Sequence, residues 1–312
     1  INLIDTPGHI DFTAEVVRSI RVIDGAVIVL CGSGGVEPQT ESVWMHADQS
    51  HLPRIIFVNK LDRLGADFDR VMNDVHERLT PNAIPLQLPI GIEEDFIGVV
   101  DLLTQRAFVW RDGAEYPAQE DVPAEMQEAV AALREEVLDA ICETDDDLLM
   151  QRLEGEEPEL GALKTALRQA VIEGELVPVV VGASRERIGV QPLMDAVVDY
   201  LPSPVDVPPV KGTVPGMEAA DGAKLVEERP STFDAPFCAS AFKIVTDPHV
   251  GHLTWVRVFS GQMGAGDVVY NARTGEQERI GRIYRMHGSE REQVERMAAS
   301  DVVALVGVKS AT

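Results

Sequence analysis

The chain has 312 residues, 45% of them hydrophobic and 25% charged, room for two or three domains with ordinary cores. A net charge of −25 excludes a broad basic face that coats nucleic acid, and no run of ~18 apolar residues is present to cross a membrane. Three scattered cysteines, Cys31, Cys142 and Cys238, and seven unclustered histidines give neither a zinc site nor a disulfide framework, which fits a reducing cytoplasm.

The chain opens inside an apolar segment, residues 1–4, without an initiator Met, a start that points to a fragment. Residues 1–4, 25–30, 54–58 and 177–181 are short β-branched-rich runs without polar alternation. That is the pattern of strands in a parallel sheet covered on both faces. Between them Phe12, Val16, Ile20 and Ile23 recur at helical spacing, as do Phe68, Val71, Val75 and Leu79 behind a capping Asp67. Strands alternating with helices predict a doubly wound α/β domain over residues 1–204.

An α+β insertion is expected at about residues 84–175. It starts with strand-like pieces at 86–90, 96–102 and 106–110. A helix follows, with Met126, Val130, Leu133, Val137 and Ile141 as one apolar stripe. Thr144 and Asp147 read as a capping box, and Pro158 as the first position of a helix that buries Leu160, Leu163, Leu167 and Val171 and ends at Gly174. Residues 92–175 hold 23 Asp/Glu against 6 Lys/Arg, a balance of −17. This excess is either solvated helix face or a surface that meets a basic partner, and composition does not choose between them.

A last helix spans 191–200. Residues 205–230, rich in Pro, Gly and charge and without a period, read as a linker. Five alternating runs at 237–244, 253–259, 267–271, 278–286 and 301–308 then predict a small β-barrel over 231–312.

In parallel sheets ligands sit beyond the carboxyl ends of the strands. Three of the four apolar runs end in polar, turn-prone signatures, which are therefore expected to meet at one rim. After the first run comes Asp5-Thr6-Pro7-Gly8-His9. An Asp there can hold Mg²⁺ through a water while the ion bridges nucleotide phosphates. Gly8 lets a backbone N–H approach a terminal phosphate, and His9 stands where an attacking water must be oriented. Taken alone, the same residues equally describe a plain turn. After the third run comes Asn59-Lys60-Leu61-Asp62. The Asp62 carboxylate can accept from N1–H and the exocyclic amine of guanine, a donor pair that adenine lacks. Asn59 supplies an amide for the other edge, and the Lys60 stem can lie along the base. Gly182-Ala183-Ser184, after the fourth run, offers backbone N–H groups for the base carbonyl; by itself it is an ordinary strand-to-loop turn.

Together these residues resemble the later part of a translational GTPase of the elongation factor G family. The likeness extends through residues 24–39, 57–67, 85–102, 189–204 and 241–261, nearly the whole chain. It implies an incomplete P-loop-type GTPase domain with an inserted subdomain, followed by the family's β-barrel second domain. It also implies GTP/GDP and Mg²⁺ as cofactors, with Asp5 toward the metal, His9 positioning the water, and Asn59, Lys60, Leu61 and Asp62 reading guanine. The implied function is GTP-dependent translocation of tRNA and mRNA by a monomer in the cytoplasm, away from membranes. The implied partner is the ribosome, rRNA and stalk proteins alike, with the acidic insertion facing the stalk. Ribosome recycling or protection, and a non-catalytic ribosome-binding fragment, are the alternatives. An ATP-dependent enzyme on the same sheet is disfavoured by Asp62.

Two features depart from the family pattern. Its Ser-Ala order reads Ala183-Ser184 here, and no G-x-x-x-x-G-K-[ST] loop occurs in the chain. The resemblance places that loop, and the segment that orders around Mg²⁺, before Ile1. Weak or no GTP binding, no hydrolysis, and an unpaired sheet edge are therefore expected of these residues on their own.

Overall fold

A short helix, α1 (Thr13–Ile20), precedes the first strand, and strands then alternate with helices: β1 (Ala26–Cys31), α2 (Pro38–Gln49), β2 (Arg54–Asn59), α3 (Phe68–Arg78) and β3 (Ala83–Pro85). A second sheet follows, β4 (Gln87–Ile90), β5 (Gly98–Asp101), β6 (Arg106–Val109) and β7 (Ala118–Asp121). Three helices come next, α4 (Gln127–Cys142), α5 (Asp146–Leu153) and α6 (Leu160–Glu173), before β8 (Val177–Val181) and α7 (Val190–Tyr200). This computed structural model describes residues 1–111, 114–218, 224–247, 251–288 and 290–308. They form two units, Asp24–Pro202 and Ile1–Ile23 with Ser203–Thr312.

In the first unit the parallel sheet runs β1-β2-β8-β3. Cys31 stands opposite Asn59 and Val58 opposite Val181, so the carboxyl ends of β1, β2 and β8 are level. Strand alternation sorts the core. Ile55, Phe57 and Val180 face α4, α6 and α7 through Leu138, Ile141, Leu163, Leu167 and Tyr200. Ile56, Val58, Val179 and Val181 face α2 and α3 through Trp44, Phe68, Val71 and Val75. A sheet apolar on both faces must be covered on both, which accounts for the unbroken β-branched runs. The expected cap of α3 is present, with Arg70 N–H donating to the Asp67 carboxylate at 3.0 Å.

The insertion folds as expected, an antiparallel sheet in the order β4-β5-β6-β7 with helices behind it, but several details differ. Ile84 and Pro85, read as the start of the insertion, instead belong to β3, which pairs in parallel with β8 in the main sheet. Asp145, not a Thr144–Asp147 box, caps α5, its Oδ1 accepting both Asp147 and Leu148 N–H at 3.0 Å. The Thr144 hydroxyl donates backwards to Ile141 O at 2.7 Å, which takes it out of the cap. Helix α6 begins at Leu160 with Glu159 as N-cap, so Pro158 lies just outside it.

The second unit is antiparallel. The expected linker is in part a hairpin of β9 (Val210–Glu218) and β10 (Lys224–Arg229), because its alternation hides beneath Pro, Gly and charge. Among the described residues nine strands follow: β11 (Cys238–Asp247), β12 (Gly251–Ser260), β13 (Gln262–Gly264), β14 (Val268–Asn271), β15 (Glu276–Arg279), β16 (Arg282–His287), β17 (Glu290–Val294), β18 (Arg296–Ala298) and β19 (Val302–Val306). The main sheet runs β11-β12-β19-β16-β17. Val256, Val258, Ile280, Ile283, Met297, Val303 and Leu305 form its core. The run at 278–286, expected as one strand, breaks between β15 and β16, where a Cβ on Gly281 would lie 2.2 Å from Val306 O. Residues 309–312, with which the expected barrel ends, lie outside the described residues.

Residues 1–23 group with this β unit rather than with the parallel sheet. Glu15 pairs with Lys243, the Arg257 guanidinium donates to Val22 O at 2.8 Å, and the Asn2 side chain donates to Ser300 O at 3.0 Å. The first apolar run is therefore not a strand: residues 1–4 have no ladder, and Ile1 and Leu3 are 97% and 89% exposed. An apolar run becomes a buried strand only where a neighbour supplies hydrogen bonds, and the parallel ladder stops at β1.

Candidate functional site

The level carboxyl ends of β1, β2 and β8 bring Asn59, Lys60, Leu61, Asp62, Gly182, Ala183 and Ser184 together, as expected. The link between the last two strand ends is the Asn59 carboxamide. Its Oδ1 accepts Ser184 N–H at 2.9 Å and Lys60 N–H at 2.8 Å, while Nδ2 donates to Ser184 Oγ at 2.9 Å. The Ser184 N–H, expected to face a base carbonyl, is thereby committed to Asn59. One amide hydrogen of Asn59 remains for a ligand.

The loop after β2 is pinned from three sides. Leu61 N–H donates to Gly182 O at 3.3 Å, Asp67 N–H to Gly32 O at 3.1 Å, and Glu93 N–H to Leu61 O at 2.9 Å. Lys60 adopts φ +64°, a left-handed turn that leads the chain sharply off the strand. Leu61 drops into the core at 2% exposure and leaves the neighbouring Asp62 half-buried at the rim. A buried anchor beside a polar side chain holds a short loop in one shape.

Gly182 is required by packing. A Cβ there would lie 2.5 Å from Ile188 O and 2.8 Å from the Phe57 ring. Ala183, fully buried, exchanges backbone bonds with Ile188, so the turn after β8 closes on itself. The reversed Ala-Ser order thus puts the small apolar side chain inside and the hydroxyl on Asn59.

The end of β1 contributes Cys31, whose Sγ lies 3.3 Å from Ser33 Oγ. Burial pushes this thiol up, but the Ser33 hydroxyl, the Ser33 and Gly34 N–H groups and the Lys60 charge outweigh it and hold the thiol below its ordinary range. Gly32, Cys31 and Glu93 were missed as site residues. The Gly-rich run at 31–35 is a signal for the first two; nothing in the sequence flags Glu93.

Asp5, Thr6, Pro7, Gly8 and His9 belong to the other unit and lie in an irregular segment, so the strand expected to carry them is not formed. Asp5 is exposed, and a Cβ on Gly8 would meet nothing within 4 Å. Asp11 crowds His9 Nδ1 from two sides, with its N–H at 3.3 Å and its carboxylate Oδ2 at 3.2 Å. Among the described residues no group of three or more His, Cys, Asp or Glu is placed to hold a metal ion. A Mg²⁺ here would take one carboxylate and otherwise waters and phosphate oxygens, a set this ion accepts. Among the described residues no helix is long and apolar enough to cross a membrane.

The family described as "Elongation factor Tu GTP binding domain" matches residues 1–203, and "Elongation factor G domain 2" matches residues 236–312. Among solved structures the chain is similar to a crystal structure of a protein from Thermus thermophilus, at 30% identity and a TM-score of 0.78. That match covers 97% of this chain and 41% of the other, so the chain spans about two-fifths of that protein's length.

Proposed function

The chain belongs to the elongation factor Tu GTP-binding domain family, the translational GTPases, and from that premise we propose that its rim reads guanine for a GTPase that moves tRNA and mRNA through the ribosome. The observation that carries this reading is the Asn59 clip, which joins the Asn-Lys-Leu-Asp loop to the Gly-Ala-Ser turn beside Asp62. The residues fit the base. Asp62 offers a charged acceptor for N1–H and the exocyclic amine, Asn59 keeps one amide hydrogen, and Lys60 brings its stem and charge.

Asp5 is the proposed ligand of Mg²⁺ through water, with Thr6, Pro7 and Gly8 at the terminal phosphate. The metal, when bound, would neutralise charge developing on the phosphates. His9 would orient the attacking water. The acidic insertion, about 84–175, is the proposed face toward ribosomal stalk proteins, and rRNA is the other proposed contact on the ribosome. On this reading the protein is a cytoplasmic monomer. The proposed domains are 1–204, a linker at 205–230, and 231–312. Because no phosphate-cradling Gly-Lys loop occurs among residues 1–312, these residues alone should bind GTP weakly and not hydrolyse it.

The test is GTP hydrolysis by the full-length protein, with and without ribosomes. Ribosome-stimulated hydrolysis that falls at least ~100-fold in His9→Ala supports the reading. Hydrolysis indifferent to ribosomes and to His9 overturns it.

A further inference from the structure

Glu93 lies outside every motif legible in the sequence, yet it grips the loop carrying Asp62 at two points. Its N–H donates to Leu61 O at 2.9 Å, and its carboxylate Oε1 accepts Gly65 N–H at 2.6 Å. The contacts bracket Asp62, one residue before it and three after. Glu93 makes them from a left-handed backbone, φ +53°, at the start of a single turn, Glu93–Asp95. That conformation is unfavourable for a residue with a Cβ and persists only where the surroundings hold it. Gly65, the donor at the far end of the bracket, is itself left-handed at φ +80°. Between the two grips the loop is closed by its own turns, Arg63 N–H to Lys60 O at 3.2 Å and Ala66 N–H to Arg63 O at 3.0 Å.

We propose that Glu93 is a positioning residue for base recognition, fixing residues 61–65 so that Asp62 meets two donors of guanine at once, and so tying the insertion to the specificity loop. The inference rests on the guanine reading of Asp62. A carboxylate that must accept N1–H and an exocyclic amine together tolerates little displacement, since a loosened loop keeps one bond and loses the other. Inosine keeps N1–H and lacks the amine. The preference for GDP over IDP therefore measures the second bond, apart from general weakening of the site.

The test compares Glu93→Ala, which removes the acceptor, with Glu93→Gln, which keeps one, in this chain. Amide exchange at Leu61 and Ala66, whose N–H groups bond elsewhere, should quicken about 10-fold in Glu93→Ala and stay near wild type in Glu93→Gln. Titration of GDP and IDP at millimolar concentration by saturation-transfer NMR should show their affinity ratio falling toward one in Glu93→Ala alone, with the unfolding midpoint of both variants unchanged. Wild-type exchange at Leu61 and Ala66 in Glu93→Ala overturns the proposal. Equal losses in both variants with a lowered midpoint overturn it too, since they would mark a purely structural role. A wild-type chain that binds GDP and IDP equally would end the guanine reading itself, while exchange would still decide whether Glu93 holds the loop.

Discussion

The carboxamide of Asn59 and the residue Ser184, 125 positions apart in sequence, hold each other by two hydrogen bonds of 2.9 Å, one to the serine backbone and one to its hydroxyl. Asn59 also takes Lys60 N–H, so a single side chain sets both loops of the candidate site. Replacing it with Ala strands these partners. Asn59→Ala should cost about 1–3 kcal/mol by urea unfolding and expose the Ser184 amide to exchange. An unchanged midpoint with a protected Ser184 amide would show that the turn holds without the clip.

Asp62→Asn exchanges an acceptor-only group for one that both donates and accepts. Xanthine carries a carbonyl where guanine carries its exocyclic amine. The variant should therefore turn from GDP toward XDP, with a change in relative affinity of at least ~10-fold in competition. An Asp62→Asn protein that still prefers GDP would refute the role given to this carboxylate.

Cys31 is the thiol that should react first. Its pKa lies below the ordinary value, so more of it is thiolate at mildly alkaline pH, and the thiolate is the nucleophile. Burial pushes Cys142 and Cys238 the other way, against the opposing charges of Arg152 and Arg229 respectively. Iodoacetamide labelling read by mass spectrometry should modify Cys31 ahead of the other two and at lower pH. Ser33→Ala, which removes a hydrogen bond to the sulfur, should move the Cys31 profile to higher pH. Identical profiles for all three thiols would contradict the electrostatic account.

Gly182→Ala places a methyl group against Ile188 O and the Phe57 ring. Neither the backbone oxygen nor the packed ring can retreat easily. The substitution should cost about 1–3 kcal/mol in thermal or urea unfolding and weaken any ligand held at the rim. A neutral outcome would mean that the turn after β8 yields more readily than its packing indicates.

The parts of this fold legible in the sequence are those fixed by local chemistry. β2 and β8 announce themselves as unbroken β-branched runs because both faces are buried, and Asp67 announces α3 because a capping carboxylate serves its own helix. What depends on distant partners was not legible. Residues 1–4 have a strand's composition and no ladder to join. β3 is three residues long and ends in Pro85, too short to carry a period. The β9–β10 hairpin is written in charged and turn-forming residues, and α2 buries little beyond Trp44 and Ala47, so neither shows a clear apolar face. At the site, the three letters Asn, Lys and Asp were readable, but not that Asn59 would spend its oxygen on Ser184. Glu93 was invisible for the same reason, since its partners are 32 and 28 residues upstream and its backbone strain has no sequence signature.

The alternation along β2 has a consequence for how this protein tolerates change. Ile55 and Phe57 belong to one core and Ile56 and Val58 to the other, so adjacent residues in the chain inhabit separate compartments. The strand is a partition. Paired substitutions within one core, such as Phe57 with Leu138, draw on the same packing and should show coupling, whereas Ile55 with Val58 should combine additively. Each compartment is therefore free to drift in sequence on its own, while the strand ends that both of them support stay where they are.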